Sequence, residues 1–198
     1  MKSVTERVYL TDFILACLAY CLFVGSDSIV KYLGSDYSIV QIIFVNSWFA
    51  LIPIVLYTQT LNGWRKLKKA NFTVHFFRAL TMALALFFGY TGFYRLPMVT
   101  MYSIVFLIPL MITIGSVFFL GEVVRWKRFT AILIGFIGAI ISINPFGTEY
   151  NNYIFLALFC PIFASASYLI VRKYGLKENL FSFLIYGKIL MLVLTGVF

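Results

Sequence analysis

The sequence predicts an all-α protein that crosses a membrane several times. Of its 198 residues, 62% are hydrophobic and 12% are charged, whereas soluble domains average roughly 45–50% apolar and about 25% charged residues. The apolar residues also form runs long enough to cross a hydrocarbon layer, which takes about 20 residues of helix. The short segments of alternating polarity that are typical of membrane β-barrels are absent from the sequence. These observations exclude a water-soluble fold and indicate a bundle of membrane helices.

Seven apolar stretches are predicted to form the spans. The first has the length of a signal peptide, but it carries Asp12 and Asp27, lacks a small-residue cleavage site and precedes six further spans. The second and third are apolar runs separated by a basic segment. The fourth contains Pro109, which is expected to kink it, and the fifth carries Gly135 and Ala139 for close helix contact. The predicted spans are 13–30, 39–57, 76–93, 98–120, 129–143, 153–171 and 180–198.

The distribution of basic residues predicts the orientation of the chain, because Lys and Arg concentrate in the short cytoplasmic loops of membrane proteins. Twelve of the 16 fall in the N-terminal segment and in alternate connections, whereas the other connections hold only Lys31 and Arg95. We therefore expect an inner-membrane protein with a cytoplasmic N-terminus and a C-terminus on the far side. The basic run 64–69, WRKLKK, is interpreted as a loop that holds this orientation and touches anionic headgroups of the bilayer. No nucleic-acid partner is expected.

An internal repeat relates the first span to the sixth. When the sequence is shifted by 141 residues, Ser26 matches Ser167 and Lys31 meets Arg172. The shift crosses five spans, so the second copy starts on the opposite face of the membrane, as an inverted repeat requires.

The repeat divides the chain into two predicted parts. Residues 1–145 would form a first repeat of five helices, and residues 146–198 would form an incomplete second repeat of two helices. A complete second copy would need roughly three more helices. We therefore expect the chain to be a truncated form of a ten-helix protein.

The segment from Arg78 to Pro145 carries motifs in the order and spacing of a known family. They are RAL at 78–80, GFYRLPMVTMYSIVFLIPL at 92–110, FFLGE ending at Glu122 and GFIGAIISINP ending at Pro145. The segment resembles the EamA family of the drug/metabolite transporter superfamily. The resemblance implies ten helices in two inverted five-helix repeats and secondary transport of a small metabolite by alternating access.

Within that superfamily, SDSIVKYLG at 26–34 is similar to the S-adenosylmethionine uptake carriers of intracellular bacteria. Two positions depart from the pattern. Asn46 stands where many members place an Arg in span two, and Tyr168 stands where the subgroup repeats an acidic residue in span six. The solute implied by the resemblance is S-adenosylmethionine or an amino-acid-like molecule.

Asp27 and Lys31 are the first candidate site residues, because an ionisable group in a span costs about 2.5–3.5 kcal/mol at the centre and needs a partner or a role. They lie one helical turn apart on one face of the first span. Two interpretations stay open: a self-neutralising pair near the outer interface, or the mouth of a cavity that binds a zwitterionic or cationic solute.

Three further charged residues lie in or beside spans. Lys188 is placed deep in span seven and is expected to face a cavity between the repeats. Arg78 either anchors span three to the headgroups or takes part in gating. Glu122 either pairs locally with Arg125 and Lys127 or makes a packing or gating contact.

Aromatic residues are candidates for the walls of a solute pocket, because cations stack on such rings. Trp48, Tyr90 and Tyr102 are assigned to solute binding with Asp27, Lys31 and Lys188, whereas Asn46, Arg78, Pro109 and Glu122 are assigned to gating or structure. The kink at Pro109 is either a hinge or a static bend.

Two other functions compete with transport. A membrane-embedded enzyme is disfavoured, because His75 is the only histidine, lies at a predicted interface and has no acid or cysteine nearby. Neither a metal nor a cofactor is expected. A decayed, non-transporting membrane polypeptide stays open, and a homodimer that supplies helices in trans is a possible partner arrangement.

Overall fold

This computed structural model describes residues 2–60, 71–123, 125–143, 152–175 and 180–196. Eight helices make up the regular structure of these residues. The basic run 64–69 and the predicted repeat boundary at residue 145 lie outside the described residues. The helices are α1 (Lys2–Leu33), α2 (Ile39–Thr60), α3 (Phe72–Arg95), α4 (Met98–Val105), α5 (Leu107–Leu120), α6 (Trp126–Ile143), α7 (Tyr153–Tyr174) and α8 (Leu180–Gly196).

The prediction of an all-α, polytopic membrane protein is confirmed. Five segments of the described chain are long and apolar enough to cross a membrane: Asp12–Leu33, Ile39–Thr60, Phe72–Arg95, Met98–Leu120 and Tyr153–Tyr174. Two shorter apolar helical stretches, Phe129–Ile141 and Ser182–Gly196, fall in the fifth and seventh predicted spans. Several helices extend beyond the predicted spans, because hydropathy marks the apolar centre of a helix and misses its polar ends.

The fourth predicted span, 98–120, is interrupted at one residue, Phe106, whose backbone angles stay in the right-handed helical region. It consists of α4 and α5, which are separated at Phe106. Pro109 explains the position of the break, because it has no N–H to donate to the carbonyl of Val105, and its ring would clash with that carbonyl in a continuous helix. Gly121 then ends α5 in the left-handed conformation, with a φ of 68°, which glycine adopts without steric cost.

α3 lies at the centre of the bundle and packs against α1, α2, α7 and α8. Its contact with α7 is close because Gly89 and Gly92 have no side chains. A Cβ added to Gly92 would lie 2.5 Å from Sδ of Met101 and 3.2 Å from Cβ of Ala157. The buried residues around this contact are Phe93, Leu96, Met101, Ile104, Ala157 and Cys160.

A second buried cluster joins α1, α2 and α8 to the other side of α3. Its members are Val30, Ile42, Ile43, Tyr90 and Met191. The two clusters fix the C-terminal ends of α1 and α3 side by side. The second cluster also holds Met191 of α8 against Tyr90 of α3.

Candidate functional site

The carboxylate of Asp27 lies where α1, α3 and α4 meet. The side chain is half-buried, and its Oδ2 atom accepts a hydrogen bond of 3.0 Å from the hydroxyl of Tyr102 in α4. The ring of Phe93 in α3 packs edge-on against the ring of Tyr102, with 5.3 Å between centroids. Residues 27, 93 and 102 therefore place a carboxylate beside two aromatic rings within the bundle.

Lys31 does not pair with Asp27, although the two lie one helical turn apart. Its Nζ atom donates to the carbonyl oxygens of Leu96, at 2.7 Å, and Phe93, at 3.2 Å. These carbonyls belong to the end of α3, where a helix has unsatisfied acceptors and the negative end of its dipole. The self-neutralising pair is therefore absent, and Asp27 has no countercharge among the residues that the structure describes.

Arg78 and Lys188 line a common cavity of about 90 Å³ between α2, α3 and α8. The Nη1 atom of Arg78 donates to the carbonyl oxygen of Phe183 at 2.7 Å, and the guanidinium lies 5.9 Å from the centroid of that residue's ring. Arg78 thus extends across to α8 instead of anchoring α3 to the headgroups. Lys188 is half-buried in the cavity.

Gly187 makes room for this crossing. A Cβ at position 187 would lie 2.6 Å from Nη1 of Arg78, which is closer than real side chains approach. The backbone of Arg78 is also engaged, because its carbonyl accepts a hydrogen bond of 3.3 Å from Oγ of Ser167 in α7. Arg78 consequently ties α3 to both α7 and α8.

Glu122 forms an ion pair with Arg172 at the end of α7, with 2.8 Å between Oε1 and Nη2. The local partners considered from the sequence, Arg125 and Lys127, are not the observed ones. The pair holds the end of α5 against α7, and both side chains are partly exposed.

The remaining candidates lie in different environments. Tyr90 is buried in the second cluster and interacts electrostatically with Asp27, whereas Trp48 is 55% exposed on α2. Asn46 is half-buried on the same helix, and Pro109 is exposed in the first turn of α5. The structure therefore brings Asp27 together with Tyr102, and Lys188 with Arg78, but it does not gather all candidates in one pocket.

His75 is buried in the bundle, in the first turn of α3. Its ring contacts those of Phe183, at 4.6 Å between centroids, and Tyr186, at 5.3 Å. In the described part of the chain, no three His, Cys, Asp or Glu residues are grouped so that they could hold a metal ion.

The comparisons with known proteins decide the family. Residues 11–144 match the model of the EamA-like transporter family. The chain belongs to this family. Family members and the named relatives below are membrane transporters, not enzymes.

Several curated relatives resemble this EamA-family chain over most of its length. It is 30% identical over 196 residues to an S-adenosylmethionine uptake transporter of Rickettsia felis, an alignment that covers 96% of the chain and 64% of the relative. A protein of the same name from Rickettsia bellii is 31% identical over 86% of the chain and 58% of the relative. A riboflavin transporter of Vibrio cholerae is 25% identical over 85% and 57%. The chain thus spans less than two thirds of the length of these relatives, and no solved structure matches it significantly.

Sequence reasoning missed several partners of the candidate residues. The carbonyls of Phe93 and Leu96 could not be identified from the sequence, because every residue has a backbone carbonyl. The pairing of Arg172 with Glu122 had no local signal either, because the two residues lie in different spans. The 141-residue shift matches Arg172 with Lys31, and both cations contact the end of a neighbouring helix.

Proposed function

We propose that this chain carries a small, positively charged metabolite across the inner membrane, and that S-adenosylmethionine is the solute. The family and the names of the Rickettsia relatives support transport of a small molecule. The observation that carries the proposal is the half-buried carboxylate of Asp27, which has a hydrogen bond from Tyr102 but no cationic partner among the described residues.

The physical argument starts from the cost of the charge. A carboxylate at the centre of a spanning helix is unfavourable by about 2.5–3.5 kcal/mol on insertion scales, which is an upper value for Asp27, six residues before the end of α1. One hydrogen bond offsets part of that cost, and Lys31 is committed to the end of α3. A solute with a sulfonium or ammonium group would supply the missing countercharge. The ring of Tyr102 favours such a group, because aromatic faces attract cations.

Alternating access is the mechanism that we propose for this site. Residues 1–145 form one repeat and residues 146–198 belong to a second, inverted one, and the two rock about the solute. Tyr102 lies in α4, just before the break at Phe106. A rotation of α4 about this break would therefore change the contact between Tyr102 and Asp27.

The excess of Lys and Arg in alternate connections supports a cytoplasmic N-terminus.

The experiment is uptake of radiolabelled S-adenosylmethionine into proteoliposomes that contain the full 198-residue chain. The wild-type chain should accumulate label above protein-free vesicles, and Asp27→Asn should reduce uptake to the protein-free level. Asp36→Asn is the matched control, because Asp36 is an exposed acid just beyond the end of α1. All variants are compared at equal amounts of reconstituted protein.

Equal uptake by the wild-type and Asp27→Asn chains would contradict the role of the carboxylate. A wild-type chain that accumulates no label would contradict transport of S-adenosylmethionine by this chain. Loss of uptake in both Asp27→Asn and Asp36→Asn would show a general effect of negative charge at this end of the bundle, which also contradicts the proposed site.

A further inference from the structure

The cavity that contains Arg78 and Lys188 combines two cations with an apolar lining. The cations come from different helices, α3 and α8, and the cavity has a volume of about 90 Å³. The remaining wall is largely aliphatic, formed by Ile54, Met82, Leu86, Leu184 and Met191. None of the acids whose side chains the structure describes lines it. Two like charges in such surroundings are unfavourable unless an anion accompanies them.

Arg78 has unused hydrogen-bonding capacity in this position. A guanidinium carries five N–H donors. One nitrogen, Nη1, is occupied by the carbonyl of Phe183 at 2.7 Å. The Nε atom is buried and has no hydrogen-bond partner among the residues that the structure describes. Since a buried donor without an acceptor costs roughly 1–3 kcal/mol, an acceptor close to the guanidinium would be strongly favoured.

We propose that Arg78 and Lys188 form a binding site for a small carboxylate. A carboxylate offers two oxygens with about four acceptor positions, which suits an ammonium and a guanidinium together. The cavity of about 90 Å³ has room for more than one water molecule. It therefore admits a carboxylate with a short substituent.

This site is separate from the Asp27 site. Arg78 and Phe93 are 15 residues apart on α3, which corresponds to about 22 Å along the helix. A solute as small as acetate cannot contact Arg78 and Asp27 at once. The proposal goes beyond the proposed function, and its test measures binding without transport, so failure of one leaves the other standing.

The test is a titration of the purified full chain with [1-13C]acetate, in a neutral detergent and a chloride-free buffer. Exchange with the protein broadens the carboxylate resonance of acetate, and the broadening should saturate for the wild-type chain. Lys188→Gln should weaken binding roughly tenfold or more, because it removes a charged partner of the anion. Lys188→Arg should retain saturable binding, since it keeps the charge.

Lys173→Gln is the matched control, because Lys173 is an exposed cation near the end of α7 and the change in net charge is the same. Circular dichroism and size-exclusion elution establish that each variant is folded. Binding that is lost in Lys188→Gln and kept in Lys173→Gln and Lys188→Arg supports the site. Unchanged binding in Lys188→Gln, equal weakening in Lys173→Gln, or no saturable broadening with the wild-type chain would overturn it.

Discussion

The hydroxyl of Tyr102 donates a hydrogen bond of 3.0 Å to Oδ2 of Asp27, across 75 positions of sequence. This bond links the C-terminal end of α1 to α4. Lys31, the nearest cation along the chain, is engaged by the carbonyls at the end of α3. A carboxylate is thus held in place by a neutral donor and remains available for a positive charge from a solute.

The first prediction concerns Tyr102→Phe, which removes the hydroxyl and keeps the ring. A hydrogen bond to a charged group contributes about 1.5–3 kcal/mol. The affinity for the solute should therefore fall roughly tenfold or more, because the carboxylate loses its orientation. The concentration dependence of uptake measures this change. Tyr32→Phe is the control, because Tyr32 is exposed near the same end of α1; equal effects of both substitutions would contradict the role of Tyr102.

The second prediction concerns Lys31→Met, which removes a cation from the end of α3 and keeps an apolar stem. The ammonium satisfies two carbonyls and opposes the negative end of the helix dipole. We expect a loss of about 1–3 kcal/mol in the free energy of unfolding, measured by denaturant titration in detergent. Lys31→Arg should recover part of it. A stability equal to that of the wild type would show that the two contacts contribute nothing.

The third prediction tests the close contact of α3, α4 and α7 at Gly92. Gly92→Ala places a Cβ against Met101 and Ala157, and overpacking of this kind costs about 1–3 kcal/mol. Gly138→Ala is the matched control on α6, because nothing lies within 4 Å of the added Cβ. Thermal unfolding of both variants should show a lower midpoint only for Gly92→Ala. A midpoint that falls equally in both would point to an effect of helix backbone and not of packing.

The fourth prediction concerns the ion pair between Glu122 and Arg172, whose side chains are 34% and 48% exposed. Pairs in contact with water contribute only about 0–1 kcal/mol. A double-mutant cycle with Glu122→Gln and Arg172→Gln should therefore give a coupling free energy below about 1 kcal/mol. A larger value would mean that the contact between α5 and α7 is shielded from water.

The course of the helices followed from hydropathy, because spanning segments must be long and apolar. The position of the break at Phe106 could not be predicted from hydropathy, although Pro109 lies three residues after it. A proline shows that a helix is perturbed there, but whether the chain bends or divides into two helices depends on the surrounding packing.

The candidate site was only partly predictable for a related reason. Asp27 is conspicuous as an acid in an apolar segment, and that signal is local. The partner of Lys31 could not be predicted from the sequence. Helix spacing favours Asp27 as its partner, whereas in the folded chain Lys31 donates to the carbonyls of Phe93 and Leu96. The meeting of Arg78 with Lys188 likewise depends on how α3 and α8 pack.

The central claim is that Asp27 recognises the positive charge of the solute. Competition against labelled S-adenosylmethionine by the unlabelled compound and by S-adenosylhomocysteine tests it most directly, because the second molecule lacks the sulfonium charge. For the wild-type chain we predict that the charged compound binds roughly tenfold or more tightly, as expected for a charged partner.

The ratio of the two affinities, for S-adenosylmethionine and for S-adenosylhomocysteine, is then measured for Asp27→Asn. Direct binding in detergent replaces uptake for any variant that no longer transports. The account predicts that the ratio falls to near one, because the amide no longer distinguishes a sulfonium from a neutral thioether. A ratio that stays at the wild-type value would contradict it.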